Sequence, residues 1–581
     1  MAAKTKGVLD DALPILKIPD ISGGLNTQDG ILDLASNQTF ACQNVIGFPK
    51  RTIYAGGYEL YTALDTGVDG DGGWEYFDSN GAKHLIAWAG GNMYDTVNGT
   101  KTTIATNCYI AGQNIGKIDQ NGMLYWSTLT VPIQVFNGVT TTPVVSSGGV
   151  GVGPIPASDY LCSYAGSIIA ANPVISGTQY VGAIIGSNVN DPTSFVTANL
   201  TQCGNDNYIR FLIPMGVAAA GIPPTGSIMI GGSIDLILAQ GAFNSFKLNE
   251  VNLPQGCKDG QSAQYIPTGD LFGAVVYLGN DNQYWWTNGV SGECISLQNL
   301  DYFNSLIQSA LQYDVLQKFW GGYNAQYQYY YCDLGQNNQL AYRWRQKAWY
   351  YLQGWPSGPI INGTSGLGFP TNYTVANQFG ALGVAAGVYA TGQPNAFMGG
   401  SIPAIFYNTA YMHANDPSMT KEWQWATLLM NNVFPASYNV YAVGLANATG
   451  HIPVSNTLQF SNPQLINFMA QAEWDVSKWD VGVWGSGGGY ETQMPYPASG
   501  MLSEPVAASV WLPNGANQPL RSSAVSFNIS WTNGGIASAL PSFDVLGFDT
   551  RFKPMGHYTT GGAQYSAESG ANNFGTSYPF Q

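Results

Sequence analysis

Few residues in this 581-residue chain are of a kind that carries chemistry, and their spacing limits what they could do. The four histidines, His84, His413, His451 and His557, are too scattered for a metal cluster or a triad. Each reads as a packing or surface residue. Neither a G-x-S-x-G elbow nor an H-E-x-x-H pair occurs. Gly112-x-x-x-Gly116-Lys117 falls one residue short of a phosphate-cradling loop. Ile118 follows where Ser or Thr would hold magnesium, so the segment reads as a turn. Asp65, Asp69 and Asp71 in DTGVDGDGG could offer oxygens to calcium. That ion needs about six to eight, and no glutamate closes the loop in the EF-hand manner. A solvated hairpin tip is the favoured reading, with a metal near Asp69 and Asp71 left open. Glycoside cleavage needs only two carboxylates at a suitable separation, and nothing marks a pair among the 35 acidic residues. Tyr327, Tyr329, Tyr330 and Tyr331 could stack on sugars, but such runs are more often half-buried strands or subunit contacts. The expectation is a protein with no catalytic residue, no cofactor and no metal.

The rest of the composition fits a building block. Charged residues make up 9% of the chain, against roughly 25% in an average soluble protein. The 72 glycines leave much of the surface to Asn, Gln, Ser, Thr and Tyr. A neutral, aromatic surface suits large permanent subunit contacts. The net charge of −15 argues against a basic nucleic-acid reader, which must neutralise phosphates. An acidic wall would instead let DNA slide past without sticking. The seven cysteines (Cys42, Cys108, Cys162, Cys203, Cys257, Cys294 and Cys332) are dispersed with no CxxC. They read as reduced, mostly buried thiols from a reducing compartment. The N-terminal stretch lacks a signal-peptide core. No run reaches the roughly eighteen apolar residues of a membrane helix, so membrane insertion is not expected.

The elements that must position these residues are short strands and tight turns. Asn80-Gly81, Asn98-Gly99, Asn137-Gly138 and Asn288-Gly289 are hairpin signals between apolar or aromatic runs. The same grammar returns in IMIGGSIDLILAQ, where Gly231-Gly232 precedes an apolar strand, and in the aromatic strands Tyr327–Leu334 and Leu340–Tyr351. The fold class expected is mainly β: propeller-like repeats of short antiparallel strands, a loop-rich insertion and little helix. One amphipathic helix, or a broken pair, is expected over Leu297–Val315 with Ser296 as a candidate N-cap, serving as a connector on the rim. The divisions read as an N-terminal arm and docking segment over 1–53, blades over 54–352 and a loop-rich insertion over 353–422 that could form a tip. Returning strands over 423–558 close the propeller or a platform, and an extended tail occupies 559–581. Trp474, Trp479 and Trp484 fall among the returning strands.

The most specific stretch is Asp20–Tyr61, DISGGLNTQDGILDLASNQTFACQNVIGFPKRTIYAGGYELY. Gly23-Gly24 permits a tight turn, Leu25 and Asn26 follow, and Ser36 or Asn37 can cap a short helix reaching toward Asn44. Arg51 then leads into a strand bearing Tyr54, Tyr58 and Tyr61. This order resembles the opening of the tail nozzle proteins of short-tailed bacteriophages. The block at Gly231-Gly232 and the closing SFDVLGFDTRFKPMGHY, Ser542–Tyr558, resemble the same family. The likeness covers most of 20–350 and 500–558, at the level of gapped motifs. It implies a propeller subunit in a homo-hexameric ring below a tail adaptor ring. Tail fibres or tailspikes would lie nearby, with viral DNA passing through a central channel without sequence-specific binding. Such a protein would be assembled in the host cytoplasm and act in the virion. A glycan depolymerase on a β-scaffold and a receptor-binding fibre module are the rival readings. Residues 1–20 are expected to dock to the neighbouring ring.

Overall fold

The structure is a computed structural model. It describes residues 14–557 except 31, 150, 205–206, 217–225, 242–244, 268–272, 315–317, 326–327, 364–371, 377–385, 394–403, 417–418, 431–435, 446–456, 460–463, 469–491, 494–505, 512–519 and 533–543. The chain divides into two compact units, one formed by 1–55 with 402–581 and the other by 56–401.

The second unit is a β-propeller. Among the described residues it holds seven antiparallel sheets built on four strands each, and a two-stranded hairpin of Val174–Ile175 with Thr178–Gln179. The first six follow the chain. Their inner strands are Gly70–Phe77, Gly116–Gln120, Tyr160–Tyr164, Ile209–Met215, Cys257–Ile266 and Trp320–Asn324, and each sheet runs outward from its inner strand. Those turns are where the Asn-Gly signals placed them. Asp78 Oδ1 accepts the N–H groups of Asn80 (2.9 Å) and Ala82 (2.7 Å), and Gly81 takes φ 79°.

Each blade is apolar on both faces, so it must be sandwiched between neighbours. The buried clusters run in that order. Trp88 of blade 1 meets Trp126 of blade 2 at 6.2 Å. Tyr125 and Ile133 of blade 2 pack with Leu161 and Ile185 of blade 3. Blades 3 and 4 share Cys162, Ile228 and Ile230, and blades 4 and 5 share Phe211, Met229 and Tyr277. Tyr284 of blade 5 lies 4.9 Å from Trp349 of blade 6. The last cluster joins Val375 and Val388 of blade 7 to Leu85 and Tyr94 of blade 1, which closes the ring. Burying one such large side chain contributes about 3 kcal/mol.

The seventh blade differs from the sequence reading. Residues 353–422 were expected as an insertion, yet Ile360–Ile361, Asn372–Ala376 and Gly387–Gln393 are the three inner strands of this blade. Its outer strand is Gly57–Ala63, from the start of the unit, paired antiparallel with Gly387–Gln393. Between Lys347 and Asp416 the chain has no charge to mark a solvent face, so these strands read as loop. Their partner is also more than three hundred residues away.

Three smaller expectations also change. No helix follows Ser36 or Asn37; the described residues there are turns leading to the strand Ala41–Gln43. Leu340–Tyr351 is two strands, Asn338–Arg343 and Ala348–Gln353. The expected helix is Leu300–Tyr313, preceded by a 3-10 turn over Leu297–Asn299, and it connects blades 5 and 6. Phe303, Ile307 and Ala310 are buried along one face, while Leu297 and Leu300 are exposed. Ser296 does not cap it. Its hydroxyl donates to Gln283 Oε1 (2.7 Å) and accepts the N–H of Tyr284 (2.9 Å), and Asn299 stands at the N-cap.

The first unit draws on both ends of the chain. One sheet contains Ile15–Ile18, Val45–Phe48, Arg51–Tyr54, Met419–Met430 and Asp544–His557, with two shorter strands. The other contains Ala41–Gln43, Phe406–Asn408, Ala436–Leu445 and Ala524–Thr532, with further short strands. Phe527 of the second sheet meets Phe548 of the first at 5.1 Å. Residues 1–53 are therefore not a separate arm, since their described strands belong to sheets completed by 402–557. Trp474, Trp479, Trp484 and the tail over 559–581 lie outside the described residues.

A buried carboxylate in blade 6 gives the propeller a measurable pH signature. Asp333 accepts the N–H groups of Gly335 (3.0 Å) and Gly358 (2.8 Å), and burial pushes its pKa up to about 7. A raised carboxylate pKa means that the folded state binds the proton more tightly than the unfolded chain. Its contribution to stability is therefore full below the ordinary value near 4 and is lost as pH rises through about 7. Urea midpoints are expected to fall between pH 5 and pH 8 in the wild type, by an amount on the order of 2 kcal/mol more than in Asp333→Asn. Parallel curves for the two proteins would contradict this assignment.

Candidate functional site

The glycine-rich opening motif is a structural knot. Gly23 N–H donates to Asn37 O (2.8 Å), and a side chain at Gly23 would strike that backbone. Gly24 takes φ 72°, a conformation that costs glycine little. Leu25 is buried and bridges Thr39. Asn26 is fully buried; its Oδ1 accepts the N–H groups of Gln28 and Asp29 (both 3.2 Å), and its Nδ2 donates to Asp29 Oδ2 (2.7 Å). Asn44, at φ 56°, donates Nδ2 to Ala404 O (2.8 Å). Arg51 pairs with Asp544 at 3.1 Å, and burial still pushes that carboxyl up to about 6. Gly231 and Gly232 belong to the propeller, at the end of Ser227–Gly232, where Phe211 and Asn207 fill the space side chains would need. These residues hold the local backbone in place, and none lines the cavity of about 380 Å³ at the propeller axis.

The chemistry-bearing residues converge elsewhere, at the starts of the inner strands around the propeller axis. Six blades each place a charge there: Asp71, Lys117, Asp159, Arg210, Asp259 and Lys318 in blades 1 to 6. The sign alternates from blade to blade. Asp71 accepts from Tyr109 OH and Gly112 N (both 2.8 Å). Asp159 accepts from Tyr208 OH (2.6 Å), and Asp259 from the N–H groups of Phe319 (2.8 Å) and Gln261 (3.0 Å). Lys318 donates to Gly112 O (2.7 Å), and the Arg210 guanidinium lies 5.3 Å from the centre of the Tyr208 ring.

A cavity of about 380 Å³ opens among these groups, lined in part by Gln113, Asn114, Asp159, Tyr208, Arg210 and Lys318. Burial sets the electrostatics. It pushes Asp159 up to about 6, raises Asp71 and Asp259, and lowers Lys318. Lys117 is lowered to about 8 by burial and then by the Lys318 charge. Lys318 in turn favours the charged forms of Asp71 and Asp259.

The sequence reading named two members of this ring but gave them other roles. The Asp65–Asp71 segment is not a hairpin tip. It links the outer strand Gly57–Ala63 to the first inner strand, and its aspartates part company. Asp65 pairs with Lys101 and accepts from Tyr94 OH (2.6 Å), Asp69 is exposed, and Asp71 is buried at the axis. The Gly112–Lys117 turn is a lead-in whose Gly112 backbone holds both Asp71 and Lys318. Asp159, Arg210, Asp259 and Lys318 were missed. The available signal was one charge near each inner-strand start in a chain with few charges. Among the described residues no cluster of three or more His, Cys, Asp or Glu could hold a metal. The seven cysteines are free, and five are buried.

No protein-family model matches the sequence, and no curated protein matches it. Among solved structures the chain is similar to the crystal structure of the RRP9 WD40 repeats. That likeness has 10% identity and a TM-score of 0.35, covering 58% of this chain and 98% of that one. So loose an overlap carries no argument, and the propeller rests on its own sheet topology.

Proposed function

We propose that the chain is a structural subunit of a bacteriophage particle: the tail nozzle of a short-tailed phage, six copies forming a ring around the channel that retains and releases DNA. One observation carries this reading. The two stretches whose residues resemble nozzle proteins, at opposite ends of the chain, fold into one sheet. Thr52 pairs with Val545 and Ile53 with Asp544, and Arg51 meets Asp544 in an ion pair. A shared opening and closing sequence would be kept together for that reason. The sparse charge supports permanent subunit contacts, and the acidic balance supports a wall that does not grip DNA. Ile15–Ile18 of the proposed docking segment, residues 1–20, pairs with Phe548–Arg551.

Cryo-electron microscopy of purified particles tests the assignment. The expected result is density for this propeller in a six-fold ring at the distal end of the tail. A monomer that degrades capsular glycan and is missing from particles would favour the depolymerase. A trimer that binds cells would favour the receptor-binding module. Either result would remove the nozzle assignment.

A further inference from the structure

We propose that the axial cavity of the propeller binds a small hydroxylated oxyanion, a carboxylate or phosphate group carried on a polyol frame, with Arg210 and Lys318 facing the anion and Asp159 facing a hydroxyl.

Size, charge and unmet hydrogen-bonding capacity point the same way. The cavity, about 380 Å³, falls at the small end of the range for ligand pockets, roughly 300–1,000 Å³. Water-sized ions would leave most of it unfilled. Its lining carries two cations and one carboxylate, in a chain whose net charge is −15. The neighbouring carboxylates Asp71 and Asp259 are already engaged by tyrosine and backbone donors. Arg210 makes no ion pair among the described residues, and its buried Nε has no hydrogen-bond partner. Guanidinium is the side chain best shaped to take a carboxylate or phosphate through two parallel bonds.

Asp159 supplies the second, independent observation. It is 3% exposed, and only its Oδ2 is occupied, by Tyr208 OH. Oδ1 makes no hydrogen bond within 3.5 Å, although the Asn172 amide, which spends one of its two N–H groups on Ile209 O (2.7 Å), lies close enough to favour the charged carboxylate. A buried acceptor left unmet costs about 1–3 kcal/mol, so such a group marks a place where a donor is to arrive. A ligand hydroxyl satisfies it, whereas a bare anion would be repelled. Gln113 and Asn114 extend the polar wall. Gln113 Oε1 accepts from Thr130 (2.9 Å), which leaves its amide N–H groups for the ligand, and Asn114 Nδ2 donates to Tyr160 OH (3.1 Å), which leaves its Oδ1. Gln113 donors together with Asn114 and Asp159 acceptors make a mixed polar wall suited to a polyol, whose hydroxyls both donate and accept.

Isothermal titration of the full-length protein at low salt tests the site with four probes: D-glucuronate, glucose 6-phosphate, glucose and inorganic phosphate. Saturable binding is expected for glucuronate or glucose 6-phosphate, and which of the two binds more tightly identifies the anion. Lys318→Gln and Arg210→Lys should each weaken that binding by about tenfold or more, since each removes a charge or a two-bond contact. Asp159→Asn should weaken glucose 6-phosphate more than inorganic phosphate. Lys318 precedes its strand, and an unchanged circular dichroism spectrum certifies that its variant folds. The proposal is overturned by any of three results. These are no saturation by either acidic probe at millimolar concentration, glucose or inorganic phosphate binding as tightly as both, or a folded Lys318→Gln protein that binds like wild type.

Discussion

Gly260→Val is expected to abolish cooperative folding of the propeller rather than loosen one blade. Gly260 is buried in the inner strand Cys257–Ile266. A Cβ there would stand 1.5 Å from the carbonyl oxygen of Arg210 and 3.0 Å from the Tyr160 ring. The first obstacle is backbone of blade 4, which cannot rotate away as a side chain could. Blades 4 and 5 would have to separate at the axis, and a closed ring cannot open one interface without straining the others. Overpacking usually costs about 1–3 kcal/mol; a clash with main chain in a closed ring belongs with the exceptional losses above about 4 kcal/mol. Equilibrium urea unfolding followed by near-ultraviolet circular dichroism, which reads the buried Trp and Tyr, is the measurement. Gly260→Ala should already lower the midpoint clearly. An alanine variant with a wild-type midpoint would mean that the inner strands stand farther apart than described.

The second large effect is expected at the closing strand. Tyr58 lies in Gly57–Ala63 opposite Thr391, is 2% exposed and meets Tyr389 edge-on at 5.5 Å. Burial pushes its phenol up to about 12. Tyr58→Ala removes a large buried aromatic, a change worth about 3–5 kcal/mol. The location makes the loss cooperative, because this strand is what turns seven stacked sheets into a ring. Without it the edge of Gly387–Gln393 is left unpaired. Hydrogen exchange should show residues 57–63 and 387–393 losing protection together, while Ala348–Gln353 in blade 6 keeps more of its own. Uniform loss across all blades, or none, would argue that closure resides elsewhere.

What could be read ahead of the structure was local. Asn80-Gly81 and Asn137-Gly138 sit at hairpin turns because Asn and Gly accept positive φ at little cost, and Gly81 and Gly138 do so. The helix over Leu300–Tyr313 followed from its apolar spacing, but its cap did not, because the Ser296 hydroxyl is claimed by Gln283 and Tyr284 of the neighbouring blade strand. The fate of 353–422 was not legible either. Asn372–Ala376 is buried, as are Gly387–Tyr389 of the next strand, and both strands are uncharged, so they lack the alternation that marks a half-exposed strand. The axial site was hidden for a related reason. Asp159, Arg210 and Lys318 are unremarkable singly, and nothing in the spacing of one blade says where the next will stand.

Short antiparallel strands, the turns between them, a composition poor in charge and dispersed thiols were all set by local residue order. Each depends on neighbours a few residues apart or on composition. Folding in three dimensions was needed to settle that seven blades close through a strand from the unit's own beginning. It also decided that six dispersed charges gather at the inner-strand starts, three of them, Asp159, Arg210 and Lys318, lining one cavity. Closure and convergence depend on pairings across hundreds of residues, such as Val388 with Thr62, and their free energy comes from buried faces that exist only once the ring is complete.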